Sequence, residues 1–137
     1  MSSSVSSILF ACNMNSVRSP MAEALARHLL SADVQVDSCG VYRGIKDPFV
    51  LASLEEEGVP PPPRDPREFN ELDIENYDVI VALTPEAAAE ARKLNSRVEF
   101  WEVDNPTDTR GSEAEIRSAY AQLRHQLIDK ITDRFIR

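Results

Sequence analysis

The stretch Ile8-Leu9-Phe10-Ala11-Cys12-Asn13-Met14-Asn15-Ser16-Val17-Arg18-Ser19-Pro20 runs from an apolar segment through a polar loop to a serine-proline pair. Ile8 to Ala11 stops abruptly at polar residues, as a buried parallel strand does at its carboxyl edge. Ser19-Pro20 then opens a helical pattern. Serine can cap free N–H groups, and proline at the first helical position loses no bond that it would have made. Met21, Leu25 and Leu29 repeat at helical spacing. Glu23 lies toward the amino end, with Arg27 and His28 toward the carboxyl end, where the helix dipole favours them.

The same alternation continues outward. Val34 to Ser38 reads as a second strand, followed by Cys39-Gly40 and a loop through Gly44. Asp47-Pro48 starts a second helix carrying Phe49, Leu51 and Leu54, stopped at Gly58. Pro60 to Pro63 can be neither helix nor central strand and reads as an extended connection, after which Phe69 and Leu72 suggest a short helical turn. Tyr77 to Leu83 is apolar on both faces, as a central parallel strand should be. Thr84-Pro85-Glu86 repeats the cap-plus-proline signature and opens an alanine-rich helix to about Leu94. Arg97 to Trp101 is the fourth strand, and Asp104 to Gly111 a polar loop. Ser112, with Glu115 at capping-box spacing, opens a last helix whose stripe is Ile116, Tyr120, Leu123, Leu127, Ile131 and Phe135. Ser2 to Ser7 is a polar lead-in. The order predicts an α/β fold: one doubly wound domain over residues 1–137, with a four-stranded parallel sheet flanked by helices. The β-branched runs at Val34–Val36 and Val79–Val81 exclude a helical bundle.

Composition narrows the function. Of 137 residues, 42% are hydrophobic and 28% charged, and 15 basic against 23 acidic side chains give a net charge of -8. That balance repels nucleic acid and anionic membranes, so neither is expected as a partner. No stretch approaches the roughly 20 apolar residues of a membrane span, and no basic segment precedes the short apolar run. Two cysteines cannot build a disulfide framework and suggest a reducing, cytoplasmic compartment. His28 and His125 have no partners at metal-ligand spacing, and both read as surface or packing residues.

In a doubly wound sheet the ligand lies beyond the carboxyl ends of the strands, which selects the loops Cys12 to Ser19, Cys39 to Asp47 and Glu102 to Gly111. The first places a cysteine directly after a strand and an arginine directly before a helix. The N–H groups of Asn13, Met14, Asn15, Ser16 and Val17 would line a nest to which the helix dipole adds. Such a field favours a thiolate at Cys12, a competent nucleophile, and Arg18 supplies a planar fork for two oxygens of a tetrahedral oxyanion. Cys-x5-Arg therefore reads as a phosphate-sized cradle with a nucleophile at its floor. The blander alternative is an inert cysteine beside a surface arginine, with the spacing and the helix opening coincidental.

On these residues the chain resembles the low-molecular-weight protein tyrosine phosphatases and the arsenate reductases that share their fold. Their signature is close to C-x-G-N-x-C-R-S-P after the first strand, matched here at Cys12, Asn15, Arg18, Ser19 and Pro20. Asp37-Ser38-Cys39-Gly40 is similar to their second-strand Ser-Ala-Gly. The resemblance covers essentially the whole chain. It implies that Cys12 attacks phosphorus, Arg18 clamps the phosphoryl oxygens, Ser19 hydrogen-bonds the thiolate and Asn15 holds the loop in shape. An asparagine also suits a left-handed backbone position in a tight loop. No metal or organic cofactor is implied.

The departures are specific. Met14 stands where the family has glycine, and Val17 replaces a second cysteine that could protect the nucleophile as a disulfide. Cys39, the other thiol, reads as packing. The family's Asp-Pro acid becomes Asn105-Pro106, and an amide has no titrating proton to give. Asp104 and Asp108 are the nearby carboxylates that could take over, Asp104 first, although strand alternation argues against it if the segment is extended. Phe49 resembles an aromatic wall of the pocket mouth, with a core anchor as its alternative. The leading expectation is hydrolysis of phosphomonoesters, above all protein phosphotyrosine or a small aryl phosphate, with inorganic phosphate or a similar oxyanion as a further ligand. Two alternatives remain: a weak or inactive phosphotyrosine-binding regulator, motivated by Asn105, and arsenate reduction with an external thiol.

Overall fold

Among the described residues four strands and four α-helices alternate: β1 (Ser7–Cys12), α1 (Arg18–Leu29), β2 (Gln35–Gly40), α2 (Pro48–Glu56), β3 (Val79–Ala82), α3 (Pro85–Arg92), β4 (Val98–Phe100) and α4 (Glu113–Ile131). This is a computed structural model in which residues 5–137 are described; Ser2 to Ser4 of the expected lead-in lie outside them. The sheet is parallel throughout, in the order β2-β1-β3-β4. From β1 the chain steps to one side to form β2, and later from β3 to the other side to form β4. Right-handed crossovers therefore put α1 and α3 on opposite faces, and the strand order reverses beside β1, where such folds bind their ligands.

Alternation along β1 divides the core. Ile8, Phe10 and Cys12 face a cluster built with Met21 and Leu25 of α1, Leu54 of α2, and Leu123 and Leu127 of α4. Leu9 and Ala11 face the other cluster, with Ile80, Cys39 and the alanines Ala87, Ala88 and Ala91 of α3. Small side chains let α3 lie close to the sheet. Ile8 to Ala11 are all 0% exposed, as a strand covered on both faces requires. Arg124 of α4 is buried and donates to the Ser53 carbonyl at 2.7 Å and to Glu56 at 3.1 Å, which locks α4 onto α2.

Element ends differ from the sequence reading for identifiable reasons. β1 takes in Ser7 and Cys12, and β2 runs two residues past Ser38 to Gly40. β3 is shorter than Tyr77 to Leu83: the Tyr77 carbonyl accepts from Asn95 and Arg97, and the Asp78 N–H donates to the Ser7 hydroxyl, so neither joins the ladder. β4 keeps only Val98–Phe100. Ser19 is not the cap of α1. The helix begins one residue earlier, at Arg18, with Val17 at the capping position and no side-chain bond there. Pro20 still costs nothing, because the first turn's N–H groups have no helical acceptor. Asp47, Thr84 and Ser112 do cap their helices. Gly58, at φ 71°, ends α2 with Val59 N–H donating to the Leu54 carbonyl at 2.9 Å.

No helix among the described residues is long and apolar enough to cross a membrane.

Candidate active site

Cys12 is the last residue of β1, and the loop that follows is shaped from outside by the loop after β2. The N–H groups of Val41, Tyr42 and Gly44 donate to the carbonyls of Cys12, Asn13 and Met14 at 3.0, 2.7 and 2.8 Å. In a trans peptide the N–H points opposite the carbonyl, so the N–H groups of Asn13, Met14 and Asn15 turn toward the concave side. Asn15 takes φ 52°, the left-handed conformation that asparagine tolerates. Glycine is required where the two loops touch: a Cβ on Gly40 would stand 2.6 Å from the Asn15 nitrogen, and one on Gly44 would meet the Ser16 hydroxyl and stand 2.8 Å from the Met14 carbonyl.

Beneath this cradle runs a buried chain of hydrogen bonds. The Cys12 sulfur lies 2.9 Å from the Ser19 hydroxyl. Asn15 Nδ2 donates to the Ser19 and Ser38 hydroxyls, both at 2.9 Å, and Asn15 Oδ1 accepts from the Arg67 N–H at 2.9 Å. Ser38 donates onward to Glu23 at 2.7 Å. Glu23 is 0% exposed and is neutralised by Arg64 at 2.7 Å and Arg27 at 2.9 Å. The serine is thus diverted from capping α1 to serve the thiol. A second tie holds the start of the loop, where the Thr84 hydroxyl donates to Asn13 Oδ1 at 2.7 Å.

Above the cradle opens a cavity of about 880 Å³. Of the residues singled out from the sequence, Cys12, Asn13, Met14, Ser16, Val17, Arg18, Phe49 and Asn105 line it. Asn15 and Ser19 stand below it in the hydrogen-bond chain. Arg18 makes no hydrogen bond or ion pair among the described residues, which leaves its guanidinium free for a ligand. Met14 is 45% exposed, at the mouth. Phe49 combines its two expected roles: it packs against the core cluster and lines the cavity, its ring 5.4 Å from that of Tyr120 on α4.

Asp104 is not on the cavity wall. Its carboxylate accepts from Gln126 Nε2 at 2.9 Å and its N–H donates to Gln126 Oε1, so the side chain is drawn toward α4. Asp108 does not line the cavity either. Asn105 does, with Oδ1 accepting from the Thr107 N–H and hydroxyl at 3.2 and 2.7 Å.

Sequence reasoning missed Tyr120 and Asp47 as wall residues. Tyr120 sits on an apolar stripe and Asp47 in a capping position, so packing accounts for the first and helix capping for the second. The Tyr120 hydroxyl donates to Asp47 at 2.7 Å. Burial, then that bond to the carboxylate, pushes the phenol well above its ordinary range. Cys39 lies on the opposite sheet face and is 0% exposed. Burial, and then the neighbouring Cys12, push its thiol far up, so it stays protonated at neutral pH. Among the described residues, no group of three or more His, Cys, Asp or Glu side chains is placed to hold a metal ion.

Residues 7–134 match the family described as low molecular weight phosphotyrosine protein phosphatase. The chain belongs to that family. It is similar to a Synechocystis protein named glutaredoxin arsenate reductase, 32% identical over 76 residues that span 56% of this chain and 58% of that relative. It is also similar to an arsenate reductase of Staphylococcus aureus, 31% identical over 108 residues, 77% of this chain and 82% of that protein. The tyrosine phosphatase amsI of Erwinia amylovora shares the fold, with a TM-score of 0.76 at 19% identity over 97% of this chain and 95% of that one. This member of the phosphatase family is an enzyme, and the curated relatives it resembles are named arsenate reductases.

Proposed function

We propose that the protein hydrolyses phosphomonoesters, with phosphotyrosine on proteins as the leading substrate class, through a phosphocysteine on Cys12. The observation that carries this reading is the pairing of the Cys12 sulfur, 2.9 Å from a buried serine hydroxyl, with an uncommitted Arg18 across the same cavity. The Ser19 hydroxyl can donate to the thiolate, and Arg18 and the inward N–H groups take the charge of the phosphoryl oxygens through the trigonal-bipyramidal transition state. Sulfur bonds to phosphorus as the ester oxygen leaves, and water then displaces sulfur to give orthophosphate. Phe49 and Tyr120 offer an aromatic wall to a phenyl ring. Asn105 can hydrogen-bond the departing oxygen but cannot protonate it.

Cys12→Ser should abolish turnover of an aryl phosphate while leaving vanadate binding in place, because an alcohol is a far poorer nucleophile at neutral pH. Retained hydrolysis in that variant would defeat the mechanism. Silence of the unaltered protein, with vanadate still bound, would leave a phosphotyrosine-binding regulator.

Arsenate reduction is the second reading, favoured by the names of the curated relatives. Cys39 is poorly suited to resolve an arsenic adduct on Cys12, being buried on the other face of the sheet. An external thiol, such as a glutaredoxin, would have to do so. Arsenate-dependent oxidation of a supplied thiol, lost in Cys12→Ser, is the assay that separates the two.

A further inference from the structure

Among the described residues no carboxylate of the cavity wall is free to give a proton to a leaving group, and Asp108, between the wall residues Thr107 and Thr109, does not itself line the cavity. Asp47 is the only carboxylate on the wall among the described residues. Its Oδ1 accepts from the Phe49 N–H at 2.8 Å and its Oδ2 from the Tyr120 hydroxyl at 2.7 Å, so both of its oxygens already serve as acceptors within the wall. The Tyr120 proton is thereby directed at Asp47. Asp104 is held by Gln126, off the wall. Lys46 faces Asp65, 3.6 Å away. Asn105 spends its oxygen on Thr107 and presents only N–H.

We infer that the same site takes acyl phosphates, the mixed anhydrides of phosphoric acid with a carboxylic acid, and takes them faster than esters of phenols or alcohols. The inference rests on the phosphocysteine reading above. As the Cys12 sulfur bonds to phosphorus, the P–O bond breaks and the oxygen keeps the bonding pair. A carboxylate carries that pair without a proton, since its conjugate acid has a pKa of about 4 against about 10 for a phenol. Water then attacks phosphorus, the S–P bond breaks to restore the thiolate, and the proton of water passes to solvent as orthophosphate leaves. A neutral amide donor at Asn105 suffices for such a leaving group. For a phenolate it replaces an acid whose contribution elsewhere is roughly 100- to 10,000-fold. The Phe49–Tyr120 wall makes an aromatic acyl group the natural probe.

The test compares kcat/KM for benzoyl phosphate and phenyl phosphate on the full chain, corrected for spontaneous hydrolysis, with rapid-quench mass spectrometry of Cys12. Benzoyl phosphate should exceed phenyl phosphate by about 100-fold or more, and the adduct on Cys12 should be phosphoryl. Asn105→Asp should shrink that ratio to within about tenfold by raising the phenyl phosphate value. Asp47→Asn, which keeps a capping side chain, should lower both substrates by the same factor. Equal rates in the unaltered protein, an acyl adduct on Cys12, or a loss in Asp47→Asn confined to phenyl phosphate would each overturn the inference. Cys12-dependent turnover at equal rates overturns the acyl preference alone. Absence of Cys12-dependent turnover of either substrate overturns the phosphatase reading and the inference with it.

Discussion

Two cysteines close in sequence register are kept apart by the pleat of the sheet. Cys12 pairs with Gly40, and Cys39 with Ala11, so the two side chains leave on opposite faces. Val17 occupies the position from which another thiol could have reached Cys12, and it is buried. Mild peroxide should therefore drive Cys12 to sulfenic acid or higher oxides, or to a mixed disulfide when glutathione is present. Peptide mapping that found mainly a Cys12–Cys39 bridge would contradict the separation of the faces. Cys12 and Arg18 were legible from sequence because a strand end, a five-residue gap and a helix start leave two side chains little freedom. Asp104 was not, because its direction depends on Gln126, which is 22 residues further on and carries no signal that it will reach back.

At the level of elements, the loop after β2 is the mould of the cradle, and its grip is a set of backbone bonds that no side-chain pattern advertises. Gly44 is where the fit is tightest, and alanine there would press on the Ser16 side chain and the Met14 carbonyl. Relieving that overlap must shift one loop against the other, at a cost of about 1–3 kcal/mol. Gly44→Ala should weaken phosphate or vanadate binding roughly tenfold or more, measured by calorimetry, while far-ultraviolet circular dichroism stays unchanged; unaltered affinity would show that the mould is not needed. The alternation of strands and helices was legible because apolar runs and three of four caps obey local rules. Ser19 defied its rule for a physical reason. Its hydroxyl has two possible clients, the helix N–H groups and the thiol, and only tertiary contact with Asn15 and Cys39 decides between them.

Across the whole molecule, a net charge of -8 coexists with a buried ionic cluster beside the second strand. Burial by itself would raise the Asp37 carboxyl, but hydrogen bonds from Tyr77 and Gln35, with Arg67 and Arg64, outweigh it and hold the group below its ordinary value. A carboxyl that titrates lower folded than unfolded stabilises the fold above its unfolded pKa of about 3.9, and that contribution is lost as pH falls through the folded value. Asp37→Asn should accordingly be less stable than the unaltered protein at pH 7, with the gap closing in acid below about pH 4. Urea unfolding at the two pH values reads this directly, and a gap that did not narrow would remove Asp37 from the account. The helix that follows the cradle carries a different kind of dependence. With Ser19 diverted and Val17 carrying no polar atom to cap with, the first turn of α1 begins without a capping side chain. An oxyanion seated among those N–H groups would finish the helix as well as fill the pocket. Occupancy and secondary-structure stability are then one equilibrium, in which a substrate or product acts as a structural residue on loan from solution.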